Sequence, residues 1–377
     1  MTTTTTAASI SNEHNAGTAS SNGAEELIES LRWRHHIPGL SVAVVDDKGP
    51  LHVAGYGCAD LASGTPATPA TSYLWFSLTK VATATAALQL AELGHLDLAA
   101  PITDYVDLGS KLKEAAPTVG HLLNHTAGFA NSLPTRWVRS ASAPPVDPGT
   151  FLRRQLHKNG TLKHRVGGRA HYSNLGYLVL GEVIAQAANQ PFADYATDAI
   201  LRPAGMTQTG FAHPPGATAA TPYVRVPRPF GGSLNLLFPH ELIGRRCGPF
   251  LSLEPFYVDG ASYGGLVGTV ADAGRFATMH LADGTIDGHQ ILTPTTARRM
   301  RDINTKGARY FGQGWFRDAD HRDLRPTYAE HLGAGGGFYN AMRIYPDLNL
   351  GIVTMANTTS SYPHHDLFDQ LVRLRWS

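Results

Sequence analysis

Leu40-Ser41-Val42-Ala43-Val44-Val45, set between Pro38-Gly39 and Asp46-Asp47-Lys48-Gly49-Pro50, is a β-branched run closed by turn chemistry. Leu51 to Tyr56 reads as the returning strand, so the ordered chain starts with a hairpin. A matching pair stands at the other end, where Asn340–Tyr345 and Leu350–Asn357 flank the turn Pro346-Asp347-Leu348-Asn349. Between them the chain reads as helical. Ser77–Leu93 is rich in Ala, Leu and Thr, lacks Gly and Pro, and is stopped by Gly94. His121–His125 and Asn174–Ala188 follow, the latter with Leu175, Leu178, Val179 and Val183 in one stripe. Ala24–Arg32, Ala271–His280 and Asp366–Trp376 are further helical segments, whereas Asn131–Thr150 and Pro214–Gly260 read as long irregular loops. Strands at both ends, helices in the middle and no regular βαβ alternation predict an α+β fold. Its antiparallel sheet is built from the N- and C-terminal segments and flanked by helices, with a mainly helical domain inserted. The expected division is a disordered leader over residues 1–23, a sheet domain from 24–76 and 264–377, and a helical domain over 77–263 with substrate-shaping loops.

Composition narrows the class. Gly (39) and Pro (24) make up about a sixth of the 377 residues, against roughly 12 % on average. Charged residues are only 16 % and apolar residues 42 %, enough for a sizeable core and unlike a coiled coil or a disordered tail. Thirty-one basic residues against 30 acidic give a formal charge of +1, so no global field recruits nucleic acid or an anionic membrane. Cys58 and Cys247 lack metal or redox spacing and read as two unrelated thiols. Met1 to Gly23 is mostly Thr, Ala, Ser and Asn, without the pattern of a secretory signal, which makes the cytoplasm the expected location. No apolar run is long enough to span a bilayer.

Three short motifs carry chemistry. Ser77-Leu78-Thr79-Lys80 places a hydroxyl and an amine about one turn apart at a helix start, where N–H groups are unpaired. A neutral amine there can take the proton of a Ser nucleophile; taken alone, Ser77 would be an N-cap and Lys80 a solvated residue. Tyr172-Ser173-Asn174 precedes a helix: a Tyr hydroxyl beside cations would have a lowered pKa and serve as a base, and Asn174 could hold a carbonyl or an ammonium. Alone, it is an N-cap beside a core Tyr. Glu330-His331-Leu332-Gly333-Ala334-Gly335-Gly336-Gly337-Phe338 signals close approach of another backbone, as when a substrate lies along a strand edge. His331 there could hydrogen-bond or lend charge, and the Ala334 N–H could be an oxyanion donor; alone, the run is a flexible loop. A rival nucleophile is Ser262 in Gly260-Ala261-Ser262-Tyr263-Gly264, but helix signals resume only near Thr269 and the parallel-sheet pattern is missing. His121 and His125 lack the intervening Glu of a zinc helix, and the adjacent pairs His35-His36 and His364-His365 should point apart, so no metal site is expected.

Ser-x-x-Lys, Tyr-x-Asn and His-x-Gly in this order resemble the three motifs of serine β-lactamases and penicillin-binding proteins, above all the class C-like branch with D,D-carboxypeptidase-type enzymes and family VIII carboxylesterases. The segment Thr118-Val119-Gly120-His121-Leu122-Leu123-Asn124-His125-Thr126-Ala127-Gly128-Phe129 is similar to the family's "HLLTHTSG" stretch. Gly264-Gly265-Leu266-Val267 and Phe311-Gly312-Gln313-Gly314-Trp315 continue the likeness, which covers roughly Glu26 to Trp376. The resemblance implies a β-lactamase/transpeptidase-like fold and acyl transfer without metal or organic cofactor. Ser77, Lys80 and Tyr172 would be catalytic, with Ala334, Asn174, His331 and Gly333 binding the oxyanion or substrate. His331 stands where many β-lactamases carry Lys, as in peptidase-like and esterase-like members. The expected partner is a small ester or amide, with ester hydrolysis favoured over peptide or β-lactam cleavage and over acyl transfer. Oligomeric state is not set by the sequence.

Overall fold

The computed structural model describes residues 23–107, 116–131, 134, 136–227 and 238–376. The expected leader lies, up to its last residue, outside the described residues, as does part of the Pro214–Gly260 stretch. The core is a nine-stranded antiparallel sheet. Its strands are β1 (Gly39–Val45), β2 (Pro50–Asp60), β3 (Thr65–Pro66), β4 (Thr305–Lys306), β5 (Arg309–Phe311), β6 (Phe316–Asp318), β7 (Ala329–Gly335), β8 (Phe338–Tyr345) and β9 (Leu350–Ala356). They lie in the order β4-β5-β6-β7-β8-β9-β1-β2-β3. The first hairpin therefore joins the last through β1 and β9, with Leu40 opposite Ala356 and Val45 opposite Gly351.

All seven residues of β1 are buried because both faces of the sheet are covered. Leu40, Val42 and Val44 join Ile28 and Leu31 of α1 (23–34) and Leu367, Phe368 and Leu371 of α5 (His364–Val372). Ala43 and Val45 join the opposite layer with Phe276 and Ala277 of α4 (Val270–Leu281). A Cβ on Gly274 of α4 would stand 3.1 Å from Val45 and 3.2 Å from Ala43, so that glycine lets helix and strand meet closely. Two more helices occupy this layer, α2 (Thr79–Glu92) and α3 (Asn174–Ala188). From Thr79 to Leu88 every residue of α2 is buried, the mark of a helix enclosed on all sides rather than amphipathic.

The expected strands at both termini and helices between them are present, and α3 has the predicted bounds. Other boundaries differ for local reasons. The helix expected over His121–His125 runs from Val119 to Leu123: Thr118 caps it, and His125 takes a left-handed φ of 62° that ends it. The last helix begins at His364 and stops at Val372, and Trp376 folds back so that its indole N–H donates to the Leu371 carbonyl at 2.9 Å. The described part of Pro214–Gly260 is not irregular throughout. It holds a small antiparallel sheet of Tyr223–Arg225, Phe250–Leu253 and Ile243–Cys247, and Phe256–Val258 pairs with Val138–Ser140 from the other supposed loop. Strands of three to five residues carry too little periodicity to register in the sequence. Both cysteines are free thiols. No helix among the described residues is long and apolar enough to cross a membrane.

Candidate active site

Ser77 sits in a single 3-10 turn, Phe76–Leu78, that leads into α2. It does not cap the helix, because no side-chain capping bond is made there. The preceding Phe76 adopts a φ of 48°, a strained conformation held by ring contacts to Phe256 (6.3 Å) and Phe338 (6.2 Å). Ser77 is partly exposed, whereas Lys80, one turn on, is fully buried.

Lys80 Nζ lies 3.0 Å from Ser77 Oγ, 2.9 Å from Asn174 Oδ1 and 2.7 Å from the Tyr263 carbonyl, all neutral oxygens. The rings of Tyr172, Tyr263 and Tyr177 surround it at 4.9, 5.3 and 5.6 Å. Burial without a compensating carboxylate pushes the amine well below the usual lysine range. The solvated-lysine alternative is therefore not what the chain adopts.

Tyr172 precedes α3, whose N-terminus is capped by Ser173 accepting from the Gly176 N–H at 3.0 Å. Its hydroxyl lies 3.5 Å from His331 Nε2, and the Ser77 side chain beside it favours its ionised form. The lowered pKa expected for this phenol is not found. Burial drives it upward and outweighs the opposing influence of the Ser77 side chain and of the Arg309 charge.

His331, on β7, has Nδ1 at 2.6 Å from the Gly314 carbonyl. A carbonyl only accepts, so Nδ1 carries the proton and the Nε2 lone pair faces the Tyr172 hydroxyl. Burial lowers this imidazole to about 3. The charge that His331 was expected to lend is thus absent at neutral pH, and only its hydrogen-bonding capacity remains.

The glycines of β7 serve a different neighbour from the one anticipated. A Cβ on Gly333 would stand 2.0 Å from the Trp75 carbonyl, and one on Gly335 would stand 2.0 Å from the Phe76 ring. The close backbone is thus the protein's own, the turn that presents Ser77. Beyond this, β6 pairs with β7 only through Phe316 and Glu330, so among the described residues no strand pairs with His331 to Gly335 on that side, and Ala334 is exposed there. Gly333→Ala is expected to force that turn apart, at a cost of roughly 1–3 kcal/mol for overpacking. The melting temperature should fall, and an unchanged value would refute the contact.

Two contributors were not singled out as site residues. Tyr263 supplies its carbonyl to Lys80, and His125 lies against Tyr172 with ring centroids 4.6 Å apart. The first acts through its main chain, which side-chain motifs do not reveal. The second stood in the "HLLTHTSG"-like segment, its one visible signal. Ser262 is buried, and its hydroxyl donates to the Tyr177 carbonyl at 2.9 Å within a helical turn, so the strand-to-helix elbow of a rival nucleophile is missing.

A cavity of about 750 Å³ opens beside Tyr172, lined also by Asn131, His164, Arg169, His171 and Arg309. Farther out, His364 and His365 do not point apart: their rings stand 4.1 Å from each other, drawn together by Glu330 and Asp318. Asp318, His321 and His365 bring potential metal-ligand atoms within 4.8 Å of one another. Arg343 donates to His365 Nδ1, which leaves the proton on Nε2 facing Asp318 and uses the lone pair that an ion would need.

The sequence pattern of the Beta-lactamase family matches residues 24–374. Penicillin-binding protein 4 of Amycolatopsis lactamdurans is 28 % identical over 364 residues, covering 92 % of this chain and 88 % of that protein. Protein flp of Staphylococcus aureus (strain NCTC 8325 / PS 47) is 24 % identical over 347 residues, 90 % of this chain but only 63 % of the relative. Among solved structures, the octameric penicillin-binding protein homologue from Pyrococcus abyssi superposes with a TM-score of 0.75 at 22 % identity, covering 91 % of this chain and 75 % of that one. EstCE1, a hydrolase with promiscuous acyltransferase activity, gives 0.73 at 19 % identity, covering 96 % of this chain and 100 % of that one. At these identities the two structures show the fold.

Proposed function

This chain belongs to the Beta-lactamase family of serine hydrolases, and we propose that it cleaves small carboxylic esters through an acyl-enzyme on Ser77. The observation that carries the reading is the set of acceptors around Lys80. A neutral amine has two hydrogens and one lone pair. Asn174 Oδ1 and the Tyr263 carbonyl take the hydrogens, which leaves the lone pair for the Ser77 hydroxyl at 3.0 Å. Lys80 then accepts the serine proton as Oγ attacks the carbonyl carbon, and it is the formal base of the pair. Tyr172, kept protonated, passes a proton to the departing alkoxide and is resupplied from Lys80. Water reverses the sequence, losing its proton to the same pair and releasing the acid. The N–H groups of Ser77 and Ala334 hold the oxyanion between β7 and the Ser77 turn. A neutral His331 offers no cation for the carboxylate of a β-lactam or a D-amino-acid peptide, which is the reason for favouring esters.

One observation favours a second reading, an amide or peptide acyl donor. Arg169, Arg309, His164 and His171 gather in the cavity beside Tyr172, and a substrate carboxylate could sit there instead. The similarity to penicillin-binding protein 4 of Amycolatopsis lactamdurans is in line with that alternative. A panel of p-nitrophenyl butyrate, a D-Ala-D-Ala peptide and nitrocefin, each run against Ser77→Ala, separates the two. Turnover of the butyrate alone supports the ester reading; turnover of the peptide alone replaces it with the second.

A further inference from the structure

We infer that His125 is a positioning residue for Tyr172, gripping the chain on both sides of the tyrosine and stacking on its ring; the inference rests on the role proposed for Tyr172. The His171 N–H donates to the His125 carbonyl at 2.8 Å, and the Ser173 N–H donates to His125 Nδ1 at 3.2 Å. The residues before and after Tyr172 are thus bonded to the same histidine. The ring itself lies 4.6 Å from Tyr172, with Tyr177 at 5.0 Å and the edge of Phe311 at 5.1 Å closing the stack.

Each contact depends on a particular property of this residue. The left-handed φ of 62° at His125 ends the helix Val119–Leu123 at the point where carbonyl and side chain reach the same strand of chain. Nδ1 accepts, so it is unprotonated and the neutral ring carries its hydrogen on Nε2. Burial holds the imidazole in that neutral form. Ser173, once fixed, caps α3, and the next residue Asn174 places its Oδ1 on Lys80. His125 thereby sets the two groups that flank the serine–lysine pair from α3, without touching the reacting atoms itself.

The test uses two substitutions that divide the side chain's functions. His125→Phe keeps a ring in the stack and removes the acceptor. His125→Asn removes the ring, puts Oδ1 near the place of Nδ1, and tolerates the left-handed backbone. With p-nitrophenyl butyrate, His125→Phe should lower kcat about 10–100-fold with KM little changed, as misplacement of a reacting group does. His125→Asn should recover most of the loss, and labelling of Ser77 by a fluorophosphonate should slow in parallel. The double variant His125→Phe/Tyr172→Phe should be no slower than Tyr172→Phe, because both act through one hydroxyl. A His125→Phe enzyme with unaltered kcat beside an impaired Tyr172→Phe overturns the clamp. A fully active Tyr172→Phe overturns instead the role given to Tyr172. Should His125→Phe fail to fold by circular dichroism, His125→Asn against His125→Ala decides: a faster Asn variant supports the clamp and equal rates refute it.

Discussion

Lys80→Met is expected to lower ester cleavage by about 10³–10⁴-fold, the range for loss of a positioned general base, while the protein stays folded. Methionine matches the length of the lysine stem and carries no charge into the fully enclosed α2. It leaves Asn174 Oδ1 and the Tyr263 carbonyl without their donor, at roughly 1–3 kcal/mol each, partly offset by relief of the cost of burying an amine. The melting temperature should therefore move far less than the rate. The pH profile gives an independent check. A lysine near its ordinary value of about 10.4 would leave the wild type inactive until strongly alkaline pH. Burial lowers it well below that, so full activity is expected at neutral pH, with the acid limb of kcat/KM reporting the amine. A profile still rising beyond pH 9 would contradict a neutral Lys80.

Arg343→Met should cost about 3–5 kcal/mol at neutral pH, the usual penalty for leaving a buried charge alone. Glu330, next to His331 on β7, and Arg343, opposite it on β8, are 0 % and 1 % exposed and meet at 2.6 Å. Burial by itself would raise the Glu330 carboxyl, but Arg343 and His364 more than offset it and hold it at about 2. The sign follows directly. In the wild type the folded pKa is below the unfolded value of about 4.3, so the pair's contribution is present above that pH and lost as pH falls toward 2. In Arg343→Met the largest offset to burial is gone and only the histidine neighbours oppose it, so the folded pKa rises and the penalty grows as pH climbs past about 4.3. Urea unfolding at pH 4 and pH 7 should thus show the variant closer to wild type at the lower pH. Glu330→Gln/Arg343→Met should regain much of the loss. Equal destabilisation at both pH values would mean that packing of Arg343 against Tyr328, 4.0 Å away, matters more than the ion pair.

Much of this was legible in the sequence where a short-range rule governs. The Ser77–Lys80 spacing fixes a contact within one helical turn, and the apolar stripe of Asn174–Ala188 gives that helix its observed bounds. The terminal hairpins declared the sheet because both faces of β1 demand apolar residues. What escaped depends on contacts distant in sequence. The direction of the Tyr172 shift turns on its burial, which only the tertiary fold decides. The neutrality of His331 follows from its burial, its tautomer from the Gly314 carbonyl, and the tight packing of Gly333 from Trp75, none of which spacing reveals. His364 and His365 converge because carboxylates on two strands, Glu330 and Asp318, hold one each, against the helical rule that separates neighbours.

The central claim is that Ser77 carries the acyl group. Wild-type protein mixed with p-nitrophenyl butyrate, quenched in acid within the first turnovers, digested and mapped by mass spectrometry tests it most directly. The account predicts a butyryl group on the peptide containing Ser77, lost with time and missing from Ser77→Ala. A butyryl group on Ser262, or undiminished turnover by Ser77→Ala, would contradict it.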